Sequence, residues 1–260
     1  MTSPLLNTTG LAVGIGGHQV CENLDWRVDA GDVWAILGRN GVGKSTLLDT
    51  LAGLRGQDTG TLNVGGHVLP GSGSRSEARA LARMRAYLAQ HQSDPFASTV
   101  LETVLVGRHP HLGRWDWESA TDRRIAAAAL AEVDLDGFAE REVQTLSGGE
   151  RQRLAVAQLL TQEPRLFLLD EPLTHLDLSH QLAVMELFVR RAQAGAGIVA
   201  VLHDPGFAAR YCNRALLLFG DGEWLAGTAS DVITETSLTR LYGHPLRELC
   251  ADGQRWFVPC

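Results

Sequence analysis

The sequence predicts an α/β fold with a mainly parallel core sheet, a small antiparallel β subdomain and a helical subdomain. Three observations carry this. An apolar run at residues 33–37 ends in a glycine turn that opens a helical pattern. Two more fully apolar runs of strand length, residues 166–169 and 197–202, are each followed by polar residues and then helix, as parallel βα units require. A helical stretch over residues 99–143 separates the first unit from the other two, so the sheet is interrupted and then resumes. The expected organisation is one domain over residues 1–260, with residues 1–90 and 144–260 forming the core and residues 91–143 the helical subdomain.

The elements follow in order. After the strand at 33–37, Leu47, Leu48, Leu51 and Leu54 are spaced to line one face of a helix. Residues 59–68 alternate around Gly65-Gly66 and read as antiparallel β structure. Residues 71–76 read as a flexible loop, 86–89 as a strand ending at Gln90, and 92–98, with Pro95, as irregular chain. Thr99 and Glu102 fit a capping box that opens the helical region, and residues 125–133 are alanine-rich with a charged face. Asp221-Gly222 suggests a hairpin turn, followed by a short strand and one or two small helices ending near Tyr242.

Composition narrows the function classes. The hydrophobic content of 45% can fill a substantial core. No apolar run approaches the roughly 20 residues needed to cross a bilayer, and residues 1–10 lack the pattern of a secretory signal, so the expected location is the cytosol. Cys21, Cys212, Cys250 and Cys260 form no CxxC pair, which argues against a disulfide framework and a zinc site. A net charge of −7 gives no basic field for nucleic acid. Of the 23 basic residues only Lys44 is lysine, so something other than positive charge is needed at that position.

Residues 38–45 match GxxxxGK followed by serine, between a predicted strand and a predicted helix. In such a loop Gly38, Asn40, Gly41 and Gly43 let backbone N–H groups wrap phosphates, and the helix start that carries Ser45 and Thr46 adds positive potential. Lys44 can reach the β/γ-phosphates and Ser45 can bind Mg²⁺. At the end of the apolar run 166–169, two carboxylates need a reason to sit where an unpaired charge is costly. Asp170 is suited to hold Mg²⁺, and Glu171 to polarise a water as general base. Ser147 and Glu150 form a capping box, but Gly148 and Gly149 weaken a first turn unless something approaches its backbone, for which an anion is the obvious candidate.

LSGGE at residues 146–150, followed by Arg151-Gln152-Arg153 and lying between the phosphate loop and Leu168-Leu169-Asp170-Glu171, resembles the signature motif of ABC ATPases. The resemblance spans about residues 6–243. It implies a Mg²⁺- and γ-phosphate-sensing glutamine at Gln90, with Gln92 a nearby decoy, a D-loop ending at Leu176-Asp177, and a switch histidine at His203. It also implies that ATP lies between the phosphate loop of one subunit and Ser147, Gly148 and Gly149 of another, hence a homodimer. The adenine-stacking aromatic of the family is replaced here by Ile15.

Residues 87–91, Pro95-Phe96, and Gly107 to His111 with Leu112 look like the ATPase subunits of importers for iron–siderophore complexes, haem and cobalamin. That resemblance implies a multispanning membrane permease docked between the Gln90 loop and the helical subdomain, an indirect link to a substrate-binding protein, and a place on the cytoplasmic face of the inner membrane. An exporter or lipoprotein-release ATPase would share every catalytic motif, and a non-transport ABC protein is the third alternative. His109 and His111 read as surface residues, and Trp115 and Trp117 as packing for the helical subdomain or its partner contact.

Overall fold

The computed structural model describes residues 3–71, 73–90 and 97–260. A six-stranded sheet in the order β10-β9-β3-β8-β7-β6 forms its centre. Strands β9 (Arg214–Gly220), β3 (Val33–Gly38), β8 (Gly197–Val201), β7 (Leu166–Asp170) and β6 (Arg85–Leu88) are parallel, and β10 (Glu223–Thr228) pairs antiparallel at one edge. Every residue of β3, β7 and β8 is buried, because the sheet is covered on both faces. Alternation along the strands assigns the faces. Ala35, Leu37, Phe167 and Leu169 meet the helices α5 (Gly148–Thr161) and α6 (Leu178–Gln193), where Phe167 stacks edge-on against Phe188 at 5.5 Å. Trp34, Ile36, Leu166 and Leu168 meet α1 (Lys44–Leu51) and a second sheet.

That second sheet is antiparallel, in the order β2-β1-β4-β5, from β1 (Leu6–Ile15), β2 (His18–Val28), β4 (Thr59–Val64) and β5 (His67–Leu69). The glycine-centred turn at residues 65–66 falls where the alternation placed it. The long β1–β2 hairpin was not read from the sequence, because its exposed positions carry mixed residues; Gly16-Gly17 at its tip, with φ of 58° and 83°, was the available turn signal.

Between β6 and α5 lie α3 (Val100–Leu105), a 3-10 turn over Val106–His111, α4 (Ala120–Ala131) and a short turn at Val143–Thr145. Thr99 and Glu102 make the expected capping box, with Thr99 N donating to Glu102 Oε2 at 2.8 Å. Arg108, 6% exposed, fastens this region: it donates to Asp122 at 2.8 Å, to Glu163 at 2.7 Å and to the Thr161 carbonyl at 2.8 Å.

Several expectations need correction. α1 stops at Leu51, and Leu54 is 65% exposed in the turn beyond it. The stretch read as a loop ends earlier, since α2 (Arg75–Met84) starts at Arg75 behind the N-cap Ser74; the helix is rich in charged residues and buries only Leu81, which hid it. The alanine-rich helix runs earlier, as α4 over Ala120–Ala131, because Ser119 and Asp122 cap it. Trp115 and Trp117 are 83% and 88% exposed and do not pack the helical region. His111 is half-buried and its Nε2 lies 2.9 Å from the Gln162 carbonyl. Gln92, His91, Pro95 and Phe96, with most of the stretch read as irregular, lie outside the described residues.

The turn at Asp221-Gly222 joins β9 to β10 as expected, followed by α8 (Ala229–Val232) and α9 (Glu235–Tyr242). A further hairpin was not anticipated: β11 (Leu246–Ala251) pairs with β12 (Gln254–Pro259), which leans on α7 (Pro205–Tyr211).

Candidate functional site

The parallel strands end together, and the candidate residues sit on the loops that leave those ends. The loop after β3 carries Gly38, Asn40, Gly41 and Gly43 and runs into α1 with Lys44, Ser45 and Thr46. Gly41 and Gly43 have φ of 80° and 99°, the left-handed region that glycine enters freely. A side chain at Gly43 would also meet Val20 on β2, whose Cγ2 is 2.3 Å from the position of a Cβ. Lys44 is 6% exposed, and its Nζ donates to the carbonyls of Gly38 at 2.9 Å and Arg39 at 3.0 Å. Burial lowers its pKa, while the negative charges of Glu171 and Asp170 act in the opposite direction. A compact ammonium fits this curled backbone, which gives the solitary lysine its reason.

Asp170 ends β7 at 1% exposure. Burial pushes its pKa up, the neighbouring Ser45 hydroxyl draws it down, and the charges of Glu171 and Asp49 add to the rise. Its Oδ1 is buried without a hydrogen-bond partner. An orphaned carboxylate oxygen beside a hydroxyl is a fitting donor set for a hard cation such as Mg²⁺. Glu171 follows with φ of 51°, a backbone conformation unfavourable for a glutamate, and the turn aims its carboxylate across to β8. There Oε1 meets His203 Nε2 at 2.8 Å, and the Thr174 hydroxyl reaches Oε2 at 3.4 Å. Glu171 and His203 share a cavity of about 230 Å³ with Leu173, Gln181 and Phe207.

Ser147 caps α5 in the expected box: Ser147 N donates to Glu150 Oε2 at 2.7 Å, and Glu150 N to the Ser147 hydroxyl at 3.3 Å. The glycines have a reason within the chain. A Cβ on Gly149 would lie 3.1 Å from the His175 carbonyl, and one on Gly148 3.6 Å from the His175 side chain, so the loop after β7 crosses the helix start. Gln152 reinforces the crossing by donating to the Pro172 carbonyl at 3.0 Å. Asp177 is the N-cap of α6, accepting from His180 N at 2.9 Å and from the Ser179 hydroxyl at 2.8 Å, which with the His180 ring lowers its pKa to about 2. Exposed Gln90, just past β6, lines a cavity of about 200 Å³ with Gly148, Gln152 and His175.

Lys44, Ser45, Asp170 and Glu171 are therefore brought together, His203 joins them through Glu171, and Gln90, Gly148 and Gly149 gather around His175. Ile15 sits at the tip of the β1–β2 hairpin, 44% exposed. Sequence reading missed Asp49 and Tyr87, joined by a hydrogen bond of 2.7 Å beside this group; the spacing of Asp49 four residues beyond Ser45 was the available signal. Among the described residues, no group of three or more His, Cys, Asp or Glu side chains is arranged as a metal centre.

Beside the site runs a groove of about 990 Å³ between β6 and the helical region, lined among others by Tyr87, Leu88, Glu102, Val106, His109 and Gln158. No helix among the described residues is long and apolar enough to cross a membrane.

Comparison with known proteins gives the family and the fold. A family model described as ABC transporter matches residues 21–174. The hemin import ATP-binding protein HmuV of Deinococcus radiodurans is 41% identical over 250 residues, covering 94% of this chain and 92% of that protein. The protein of the same name from Streptomyces coelicolor is 40% identical over 237 residues, covering 91% and 82%. Among solved structures, a chain from a transporter described as of metal-chelate type, in an inward-facing conformation, superposes with a TM-score of 0.85 at 29% identity, covering 99% of this chain and 98% of that one.

Proposed function

Because this chain belongs to the ABC transporter family and is an ATP-binding, ATP-hydrolysing subunit of it, we propose that it powers the import of a haem-type iron chelate through a separate membrane permease. The observation that carries the cargo class is the near full-length similarity to proteins named for hemin import. Siderophore and cobalamin carriers share the helical-subdomain wording and remain as outcomes of the test.

In this reading Lys44 and the glycine loop hold the phosphates, Ser45, Asp170 and Gln90 hold Mg²⁺, and Glu171 takes the proton of the attacking water. His203 orients Glu171 and meets the γ-phosphate. Ser147, Gly148, Gly149 and Asp177 serve the ATP of a second copy, making a homodimer. Residues 91–143 form the helical subdomain, and the groove beside β6 receives a cytosolic segment of the permease, at the cytoplasmic face of the inner membrane. A substrate-binding protein acts on the far side, and nucleic acid has no part.

The test is transport in proteoliposomes holding this subunit and the permease that co-purifies with it. ATP supplied on the subunit's side should drive haem uptake from the opposite side, and Glu171→Gln should stop it. Accumulation of ferric siderophore or cobalamin instead would keep the importer and change the cargo; ATP-driven movement outward would refute import. Ser147→Arg tests the shared site: it should be inactive alone, and mixing it with Lys44→Ala subunits should restore part of the activity by rebuilding one composite site.

A further inference from the structure

Tyr87 stands where three parts of the molecule meet. It lies on β6, lines the groove beside the helical region, and packs its ring against the core shared by α1 and the antiparallel sheet. Its hydroxyl donates to Asp49 Oδ1 at 2.7 Å. Asp49 is on α1 four residues beyond Ser45, so the two side chains share one face of the helix, one turn apart. Asp170, with its buried and unpartnered Oδ1, ends β7, the strand that pairs with β6 at Leu168 and Tyr87 and against which α1 packs.

A half-buried carboxylate beside a buried one is costly unless a cation or a donor offsets it. Tyr87 supplies the donor. By engaging Oδ1 it fixes the orientation of Asp49 while leaving the other oxygen free. Carboxylates held in this way beside a metal site order the water ligands of the ion without touching it. We propose that Tyr87 and Asp49 are a positioning pair for the Mg²⁺ site. This rests on the assignment of Ser45 and Asp170 to Mg²⁺ made above.

The competing role is a simple tie between α1 and the sheet edge. That role would lower the melting temperature of Tyr87→Phe without changing how tightly a metal is held. The experiment uses the full chain carrying Glu171→Gln, with ATP binding measured in EDTA and Mn²⁺ binding to the ATP complex followed by electron paramagnetic resonance. Tyr87→Phe and Asp49→Asn should each weaken Mn²⁺ binding about tenfold. The double variant should be no weaker than either alone, because the two act as one unit. ATP binding in EDTA should stay within about twofold of the parent. Parent-like Mn²⁺ binding in Tyr87→Phe would overturn the proposal, as would losses that add in the double variant or appear equally in EDTA. A separate arm guards the underlying assignment: if Asp170→Asn holds Mn²⁺ as the parent does, the metal site itself has been misplaced.

Discussion

Oε1 of Glu171 lies 2.8 Å from Nε2 of His203, joining the residue after β7 to the second residue beyond β8 across the ends of two paired strands. With its proton on Nε2, the imidazole donates to the carboxylate and holds it in the left-handed turn from which it projects.

Glu171→Gln should lower the steady-state ATPase rate by about 10²- to 10³-fold, within the range expected for loss of a general base, while equilibrium ATP binding stays within about threefold. His203→Ala should lose most of the same rate, and the double variant should be little worse than Glu171→Gln, since the residues act through one contact. Parent-level turnover in Glu171→Gln would place the base elsewhere.

Lys44→Arg should lose ATP affinity despite keeping its charge. The ammonium occupies a nearly closed site and donates to two carbonyls of its own loop, where a planar guanidinium does not fit. Calorimetric titration showing unchanged affinity would dismiss this explanation of the single lysine.

Gly43→Ala should cost at least about 1–2 kcal/mol from the left-handed backbone alone, on top of the clash with Val20. Combining it with Val20→Ala should recover part of the stability and no more, because trimming the neighbour leaves φ unchanged. Urea titrations of the three variants settle the partition; full recovery would mean that the backbone strain is negligible.

Asp122→Asn should destabilise the fold by about 2–3 kcal/mol at pH 7, since buried Arg108 loses a charged acceptor. Hydrogen bonds from Ser119 hold the Asp122 pKa down to about 2, helped by Arg108. A depressed carboxylate pKa contributes stability that is complete above the unfolded value near 4 and is lost as the pH falls from there toward 2. The difference between parent and variant should therefore shrink in that window, and a constant difference from pH 7 to 2 would contradict it.

ATP and GTP should bind within about tenfold of one another. Ile15 offers apolar contact without a π-face, and the phosphate loop does not see the base. Competition binding showing more than a hundredfold preference for ATP would mean that another residue reads adenine.

The parts of the fold that were legible in the sequence are those where local chemistry is one-sided. Strands buried on both faces read as unbroken apolar runs, and the boxes at Thr99 and Ser147 announce their helices through paired capping residues. What escaped was held by tertiary contacts. The β1–β2 hairpin depends on its cover over α1, α2 leans on the carbonyls of Pro110 and Leu112 through Arg83 and Arg79, and β12 rests on α7. The site divides in the same way. Lys44, Asp170 and Glu171 stand in motifs, whereas the engagement of Gly149 by the His175 carbonyl and of Asp49 by Tyr87 joins residues far apart in the chain.

The burial of Lys44 in a chain of 260 residues with no other lysine has a practical corollary. Acylating or aldehyde reagents that seek side-chain amines find one among these 260 residues, and it is this one. Because Nζ is shielded and already engaged by carbonyls, its acylation should be slow and should slow further when a triphosphate occupies the loop. Mass spectrometry of a single peptide would then read nucleotide occupancy directly, with no label introduced by mutation.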